Sequence, residues 1–245
     1  MSKVPGPWYL KGTTALVKYH ELKGTKRGWI HGLHLKYGPV VQIGRNEVSC
    51  ASYTAAKQIY SSGNKKFRKT ELYNLFQQDG HINLFTALDP GKHSEIRRAL
   101  ADRYSNSNVL RSKIMEAIAE RAEPKHHDKV TKLHDELANA SPDKGLETLP
   151  YLGAVVQEAL RLWAPGTLPL PRHVSSKGAY IDGYYLPGNT IVESMSYSMH
   201  RVDTIIFPEA EDFVPERWLK SDGHTKRQRM FSAFGLGPRT CIGKQ

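Results

Sequence analysis

The chain has 245 residues, 39% hydrophobic and 24% charged, with a formal net charge of +11. It is long enough to bury a real core, but no apolar run approaches the roughly 18 residues that span a bilayer, and Met1 to Leu10 lacks a signal-peptide core. Two cysteines, Cys50 and Cys241, cannot make a disulfide framework, so a reducing compartment is expected and any cysteine role is chemical.

Val4-Pro5-Gly6-Pro7-Trp8 reads as a rigid, turn-rich opening outside any packed element. Gly38-Pro39 introduces a strand over Val40-Val41-Gln42-Ile43. The turn Gly44-Arg45-Asn46-Glu47 leads to a second strand, Val48 to Ala51, which predicts a hairpin. Thr54 to Tyr60 reads as a helix. Asp89-Pro90 caps another that runs to about Tyr104. From Val109 to Ala140 the pattern is helical with a break at Pro124, carried by Ile114, Ile118, Val130, Leu133 and Leu137. Pro150 opens a helix over Tyr151 to Leu162. Tyr180 to Tyr185 and Thr190 to Val192 are expected to pair around Pro187-Gly188, and the remainder is loop-rich.

The positive charge is partly clustered, in Asn64-Lys65-Lys66-Phe67-Arg68-Lys69 and in Lys226-Arg227-Gln228-Arg229. Such an excess favours an acidic partner, whether a nucleic acid, an anionic membrane or a protein. No zinc-finger or RNA-binding signature accompanies the clusters. A nucleic-acid surface needs aromatics among the cations, and only Phe67 and Phe231 are placed for that. Solvated basic faces and no nucleic-acid partner are therefore expected. His126, His127 and His134 share a helix face, but a solvated face accounts for them better than a metal.

The stretch Phe234-Gly235-Leu236-Gly237-Pro238-Arg239-Thr240-Cys241-Ile242-Gly243 carries the chemistry. Its glycines let backbone approach a flat ligand closely. A cysteine thiolate gains from backbone N–H donors and is a known axial ligand of haem iron. Arg239, two residues earlier, is suited to a propionate. A buried cysteine in an ordinary glycine turn is the alternative.

Phe234, Gly237, Arg239, Cys241 and Gly243 together resemble the cysteine-loop signature of the cytochrome P-450 family, and most closely its fungal, membrane-anchored members. The resemblance implies a mainly α fold with small β-sheets (α+β), as one partial domain over residues 1–245. Residues 1–104 would supply the N-terminal hairpin and helices, and 105–245 the helix pair, the Glu-x-x-Arg helix, a hairpin and the cysteine loop. It implies haem b with Cys241 as iron ligand, and His93, Arg97, Arg172 and Arg239 as propionate partners. Glu158, Arg161 and Arg217 would form a buried scaffold triad, which a lone Glu-x-x-Arg would not suggest. The activity implied is a monooxygenase of fungal secondary metabolism. It would insert one atom of O2 into a small organic substrate with electrons from NADPH through a reductase, on the cytosolic face of the endoplasmic reticulum membrane.

The chain departs from that pattern in three places. An anchor before the proline-rich opening is missing, which leaves a cytoplasmic location for the chain as written. Glu158 follows Arg97 by only 61 positions, too few for the central helix that carries an acid–threonine pair over the oxygen site. The pairs present, Glu147-Thr148 and Asp203-Thr204, stand in other places, so no catalytic residue is identifiable. The chain also stops at Gln245, four residues past Cys241. A deletion or mis-spliced gene model is expected to explain this, and the alternative function is a non-catalytic haem-binding remnant.

Overall fold

Two short N-terminal helices, α1 (Ala15–Leu22) and α2 (Lys26–Tyr37), precede the first strand and were not expected from the sequence. Ile30, Leu33 and His34 make the buried face of α2, and Ile30 and Leu33 pack against Val41 and Ile43 of the following strand. This is a computed structural model, and it describes all residues except 1–2, 62–65, 106–125, 142–144, 165, 167–168 and 245. The expected helical segment from Val109 to Pro124, with Ile114 and Ile118, lies outside the described residues.

Strand β1 (Val40–Gly44) is buried throughout and pairs antiparallel with β2 (Glu47–Cys50) in the register Val40↔Cys50. The opening Val4–Trp8 corrects the expectation that it packs on nothing. Val4 is 2% exposed in the main apolar core, and the Gln42 amide donates to the Pro5 carbonyl at 2.7 Å. Apolar burial and one edge hydrogen bond are enough to hold a proline-rich segment on a strand.

Helix α3 (Tyr53–Ser61) follows, with the Ser52 hydroxyl accepting the Ala55 amide at 3.1 Å as a cap. Strand β3 (Phe67–Lys69) leads to helix α4 (Pro90–Ser105), whose first turn is capped by Asp89 Oδ2 on the Lys92 amide at 2.7 Å. Helix α5 (His127–Ala138) packs Val130 and Leu133 against Leu152, Val155 and Ala159 of α6 (Pro150–Leu162). The Glu136 carboxylate of α5 accepts the Tyr151 and Leu152 amides at 2.8 and 2.7 Å. Two orphan donors at the start of α6 are thereby satisfied from a neighbouring helix.

Strands β4 (Arg172–Val174), β5 (Ala179–Ile181), β6 (Tyr184–Leu186) and β7 (Ile191–Ser194) complete two sheets among the described residues. The larger has the order β1-β2-β7-β4-β3, and β5 and β6 form the smaller. The expected pairing around Pro187-Gly188 is corrected here. The hairpin closes instead at Asp182-Gly183, where φ is 44° and 84°, the two positive values that suit a tight turn between twisted strands. β7 then runs parallel to β2, Glu47↔Ile191, and antiparallel to β4. Two short helices, α7 (Ser196–Met199) and α8 (His224–Met230), follow in the C-terminal stretch. The protein is thus mainly α with small sheets.

The basic clusters are only partly solvated. Arg68 is exposed, while Phe67 and Lys69 point inward. In α8 Lys226 and Arg229 are exposed, but Arg227 is buried and donates to the Lys220 and Asp222 carbonyls at 2.6 Å each. Among the described residues no group of three His, Cys, Asp or Glu is arranged to hold a metal ion, His126, His127 and His134 included. Among them too, no helix is long and apolar enough to cross a membrane.

Candidate functional site

The cysteine loop is folded by its own backbone. The Gly235 amide donates to Ser232 O at 2.9 Å, the Thr240 amide to Gly237 O at 3.0 Å, and the Cys241 amide to Phe234 O at 2.8 Å. The Thr240 hydroxyl adds a bond to Phe234 O at 3.1 Å. Gly235 and Gly237 both have φ of 74°. At Gly237 a Cβ would run into the Tyr60 carbonyl, so the glycine is needed for close approach to α3 as well as for its backbone. Cys241 itself is exposed and free.

The loop opens onto a cavity of about 470 Å³. Leu84, Phe85, Leu160, Leu170, Leu236 and Ile242 give it a largely apolar wall, and Cys241 is part of that wall. Lys69, His93, Arg97, Arg172 and Arg239 also line it, and no carboxylate is among the described lining residues. The structure thus brings together all five of the positions singled out in sequence, Cys241 with His93, Arg97, Arg172 and Arg239.

Each cation is held by a different element. Arg97, on α4, donates to the Thr240 carbonyl at 2.8 Å. Arg239 places its two terminal nitrogens on the Ala87 and Leu88 carbonyls at 2.6 and 3.1 Å, leaving Nε buried without a partner. Arg172, on β4, is buried with Nη1 unpartnered, its guanidinium 5.5 Å from the Tyr60 ring and 5.6 Å from the Tyr73 ring. The Tyr73 hydroxyl is likewise buried and unpartnered.

Charge of one sign is crowded here, and the titratable groups register it. Burial first, then Arg239, Lys69, Arg97 and Arg172, push His93 down to about 4. Burial, then Arg239 and Arg172, push Lys69 down to about 7. Burial also raises the Tyr73 hydroxyl to about 12, against the pull of Arg172 and Arg239. Buried donors without partners cost about 1–3 kcal/mol each, so Arg172 Nη1 and Arg239 Nε ask for an acceptor. A ligand with an apolar body and an anionic edge meets both the wall and the donors.

Glu158, Arg161 and Arg217 form a buried ion cluster outside the cavity lining. Glu158, 0% exposed, accepts five hydrogen bonds. They come from Arg161 Nε at 2.9 Å, Arg161 Nη2 at 2.9 Å, Arg217 Nε at 3.1 Å, Trp218 Nε1 at 2.8 Å and the Val214 amide at 3.0 Å. Burial works to raise its carboxyl pKa, but the Arg161 hydrogen bonds and the two guanidinium charges win and hold it below the ordinary range. Arg161 spends its other donors on the His200, Ala210 and Asp212 carbonyls, at 3.1, 2.7 and 3.1 Å. The structure therefore joins Glu158, Arg161 and Arg217 directly.

Sequence reasoning missed two residues of this region. Lys69 was hidden in a basic run, although its alternation with Phe67 and Arg68 is the signal of an inward-facing strand position. His200 sits fully buried between the ion cluster and the cysteine-loop segment. Its Nδ1 lies 3.2 Å from the Arg161 carbonyl, and its Nε2 accepts the Ser232 amide at 3.0 Å. Since Nε2 accepts, the proton is on Nδ1, and burial pushes the ring down to about 4.

The acid–threonine candidates are elsewhere. Glu147-Thr148 lies in the turn Leu146–Thr148, where the Thr148 hydroxyl bonds the Gly145 carbonyl at 2.8 Å. The Asp203 carboxylate accepts the Ile205 and Ile206 amides at 3.1 Å each as a local turn. Asp203, Thr204 and Thr148 are not among the described residues that line the cavity.

A predominantly helical scaffold turns a free cysteine and a set of cations, with no described carboxylate, into one largely apolar cavity. Comparison with known proteins is specific. Residues 124–245 match the sequence profile of the cytochrome P-450 family. Cytochrome P-450 monooxygenase BOT1 of Botryotinia fuckeliana is 42% identical over 125 residues, 48% of this chain and 24% of that protein. Cytochrome P-450 monooxygenase mfmA of Annulohypoxylon moriforme is 41% identical over 121 residues, 46% of this chain and 24% of that protein. The chain spans about a quarter of the length of these curated relatives. Among solved structures, retinoic acid-bound cyanobacterial CYP120A1 matches with a TM-score of 0.64 at 15% identity, over 98% of this chain and 88% of that one, which speaks for the fold. Residues 124–245, just under half of the chain, are thus similar to the cytochrome P-450 family. That similarity implies a haem cofactor.

Proposed function

We propose that the cavity seats haem b, with Cys241 as thiolate ligand to the iron and with His93, Arg97, Arg172 and Arg239 around the propionates. In this reading residues 1–245 form one partial P-450 domain. The observation that carries it is the meeting of Cys241 with five nitrogen side chains on one cavity wall with no carboxylate among its described residues. Arg172 Nη1 and Arg239 Nε are the donors left over for carboxylate groups. Haem bound here supplies the redox chemistry by which one atom of O2 enters an organic substrate.

The chain's own residues then hold and orient. Arg97 and the Phe234 carbonyl fix the carbonyl and the amide of the one peptide group that joins Thr240 to Cys241. Glu158, Arg161 and Arg217 act as scaffold and touch no reactant. The reading takes a small organic substrate, O2 and NADPH through a reductase as partners, at the cytosolic face of the endoplasmic reticulum membrane. Exposed Lys226 and Arg229 offer basic surface to an acidic reductase.

Reduced, CO-treated protein should show a Soret band moved strongly to the red. Cys241→Ala should abolish the shift, and Cys50→Ala, which changes a core position on β2, should keep it. An unchanged band in the Cys241 variant would sink the assignment.

A second reading is favoured by one observation: Asp203 and Thr204 are not among the described residues that line the cavity, and neither is Thr148. The chain then holds haem without ordering a proton relay. Peroxide release matching NADPH consumption, with no oxidised product, would support it.

A further inference from the structure

Lys69 differs in kind from the other cations of the cavity. Strand β3 alternates Phe67 inward, Arg68 outward and Lys69 inward, which leaves the lysine 8% exposed. Its Nζ donates to the Phe85 carbonyl and lies 4.4 Å from the Tyr73 ring and 5.4 Å from the Phe85 ring. A carbonyl acceptor serves a neutral amine as well as an ammonium, and among the described residues no carboxylate is paired with it.

The groups that face it come from every side. Arg172 faces it from β4, Arg239 from the cysteine loop, His93 and Arg97 from α4, and Tyr73 from the turn after its own strand. The Glu71–His173 pair, at 3.0 Å, belongs to the exposed side of the β3–β4 ladder and reaches solvent. Repulsion among the cavity cations must be relieved somewhere, and guanidinium groups do not give up protons. A lysine does, because its compact charge depends on hydration.

We propose that Lys69 is the proton-linked member of this cluster, neutral in the open cavity at alkaline pH and protonated when an anionic cofactor edge enters. Haem capture is thereby coupled to pH. The inference rests on the haem reading above and adds to it a named proton and a named atom. The proton comes from solvent and goes to Nζ, with no bond broken elsewhere. Burial, Arg239 and Arg172 already depress this lysine to about 7, and an incoming carboxylate offsets that repulsion and raises it again. The bound state therefore holds more protons at Lys69 than the free state, so haem affinity falls as pH rises from about 7 toward the higher bound-state value.

The test is titration of the full chain with ferric protoporphyrin IX between pH 6 and pH 9, followed at the Soret band. Lys69→Arg, Lys69→Met and His93→Gln are compared, with circular dichroism confirming the fold of each. The unsubstituted chain should lose about tenfold more affinity across this range than Lys69→Arg. Lys69→Met should bind weakly throughout and match the unsubstituted chain only at the alkaline end. In weak buffer at pH 8, haem addition should take up more protons in the unsubstituted chain than in either Lys69 variant. That difference removes any proton released from Cys241, which is common to all. An identical pH slope and proton count in Lys69→Arg would overturn the proposal, as would a slope lost only in His93→Gln. Failure of the unsubstituted chain to bind haem at any pH would overturn the haem reading itself, and this inference with it.

Discussion

Arg97 Nη1 donates to the carbonyl of Thr240 at 2.8 Å, tying helix α4 to the residue before Cys241 across 143 positions of chain. A loop that must present one sulfur atom benefits from a tether at the adjacent peptide. Hydrogen bonds to charged groups contribute about 1.5–3 kcal/mol, and Arg97 is only half-buried, so the low end applies. Arg97→Met should lower the urea midpoint by an amount equivalent to about 1.5 kcal/mol, with no change in the slope of the transition.

The Glu158 cluster should be far more sensitive. Removing one partner of a buried ion pair costs about 3–5 kcal/mol because the survivors stay buried and unpaired. Arg161→Ala and Arg217→Ala should each lower stability by that order. Trp218→Phe, which removes one of five donors to Glu158 and no charge, should cost about 1–2 kcal/mol. Equal effects of Trp218→Phe and Arg217→Ala on the denaturant midpoint would contradict this ranking. The carboxyl of Glu158 is held low in the fold, so its contribution is complete above the ordinary carboxylate pKa. It is lost as pH falls below that value through the folded one.

The cysteine loop was legible because its chemistry is local: glycines, an arginine and a cysteine within ten residues specify the turn and its donors together. The Glu158–Arg161 spacing was legible for the same reason, being one helical turn. Long-range pairing was not. Nothing near Ile191 announces that β7 lies parallel to β2, and the turn chemistry of Pro187-Gly188 pointed to the wrong hairpin. Asp182-Gly183 is the stronger turn signal, a pair suited to two positive φ values inside a run that otherwise looks like strand. Lys69 was illegible because three residues of alternation inside a basic run look like a solvated face. His200 carries no pattern at all, since its role depends on carbonyls and amides brought in from α6 and the Ser232 segment.

Glu193 should set a pH dependence of the opposite sign to Glu158. It is 3% exposed on β7, its Oε1 has no partner, and Lys26 stands 3.8 Å away. Burial, against Lys26 and with Glu47, pushes its carboxyl up to about 7. The folded value thus lies above the unfolded one, so the folded state binds the proton more tightly. Stability contributed by the protonated group is complete below the ordinary carboxylate range and falls as pH rises toward about 7. Glu193→Gln should flatten that decline and stabilise the protein at pH 8 by on the order of 2 kcal/mol. Thermal melts of the two proteins at pH 5 and pH 8 decide it; a variant no more stable than its parent at pH 8 would contradict the assignment.

Two glycines of the cysteine loop share one backbone angle and should differ in what substitution does. Gly235 and Gly237 both have φ of 74°, a region that costs a side-chain-bearing residue about 1–2 kcal/mol. At Gly235 nothing lies within 4 Å of where a Cβ would stand, so Gly235→Ala should cost only that backbone strain. At Gly237 the added carbon would meet the Tyr60 carbonyl and the Ser61 backbone, which belong to helix α3 and cannot rotate aside as a side chain would. The Tyr60 hydroxyl is in turn fixed, donating to Leu170 O at 3.0 Å and accepting the Ser194 amide at 2.9 Å. Relief must come from moving the loop, and with it Arg239 and Cys241. Gly237→Ala should therefore destabilise more than Gly235→Ala and should also impair haem uptake at temperatures where the protein is still folded. Parallel melts and haem titrations of the two variants separate backbone strain, common to both, from the collision that only one of them suffers.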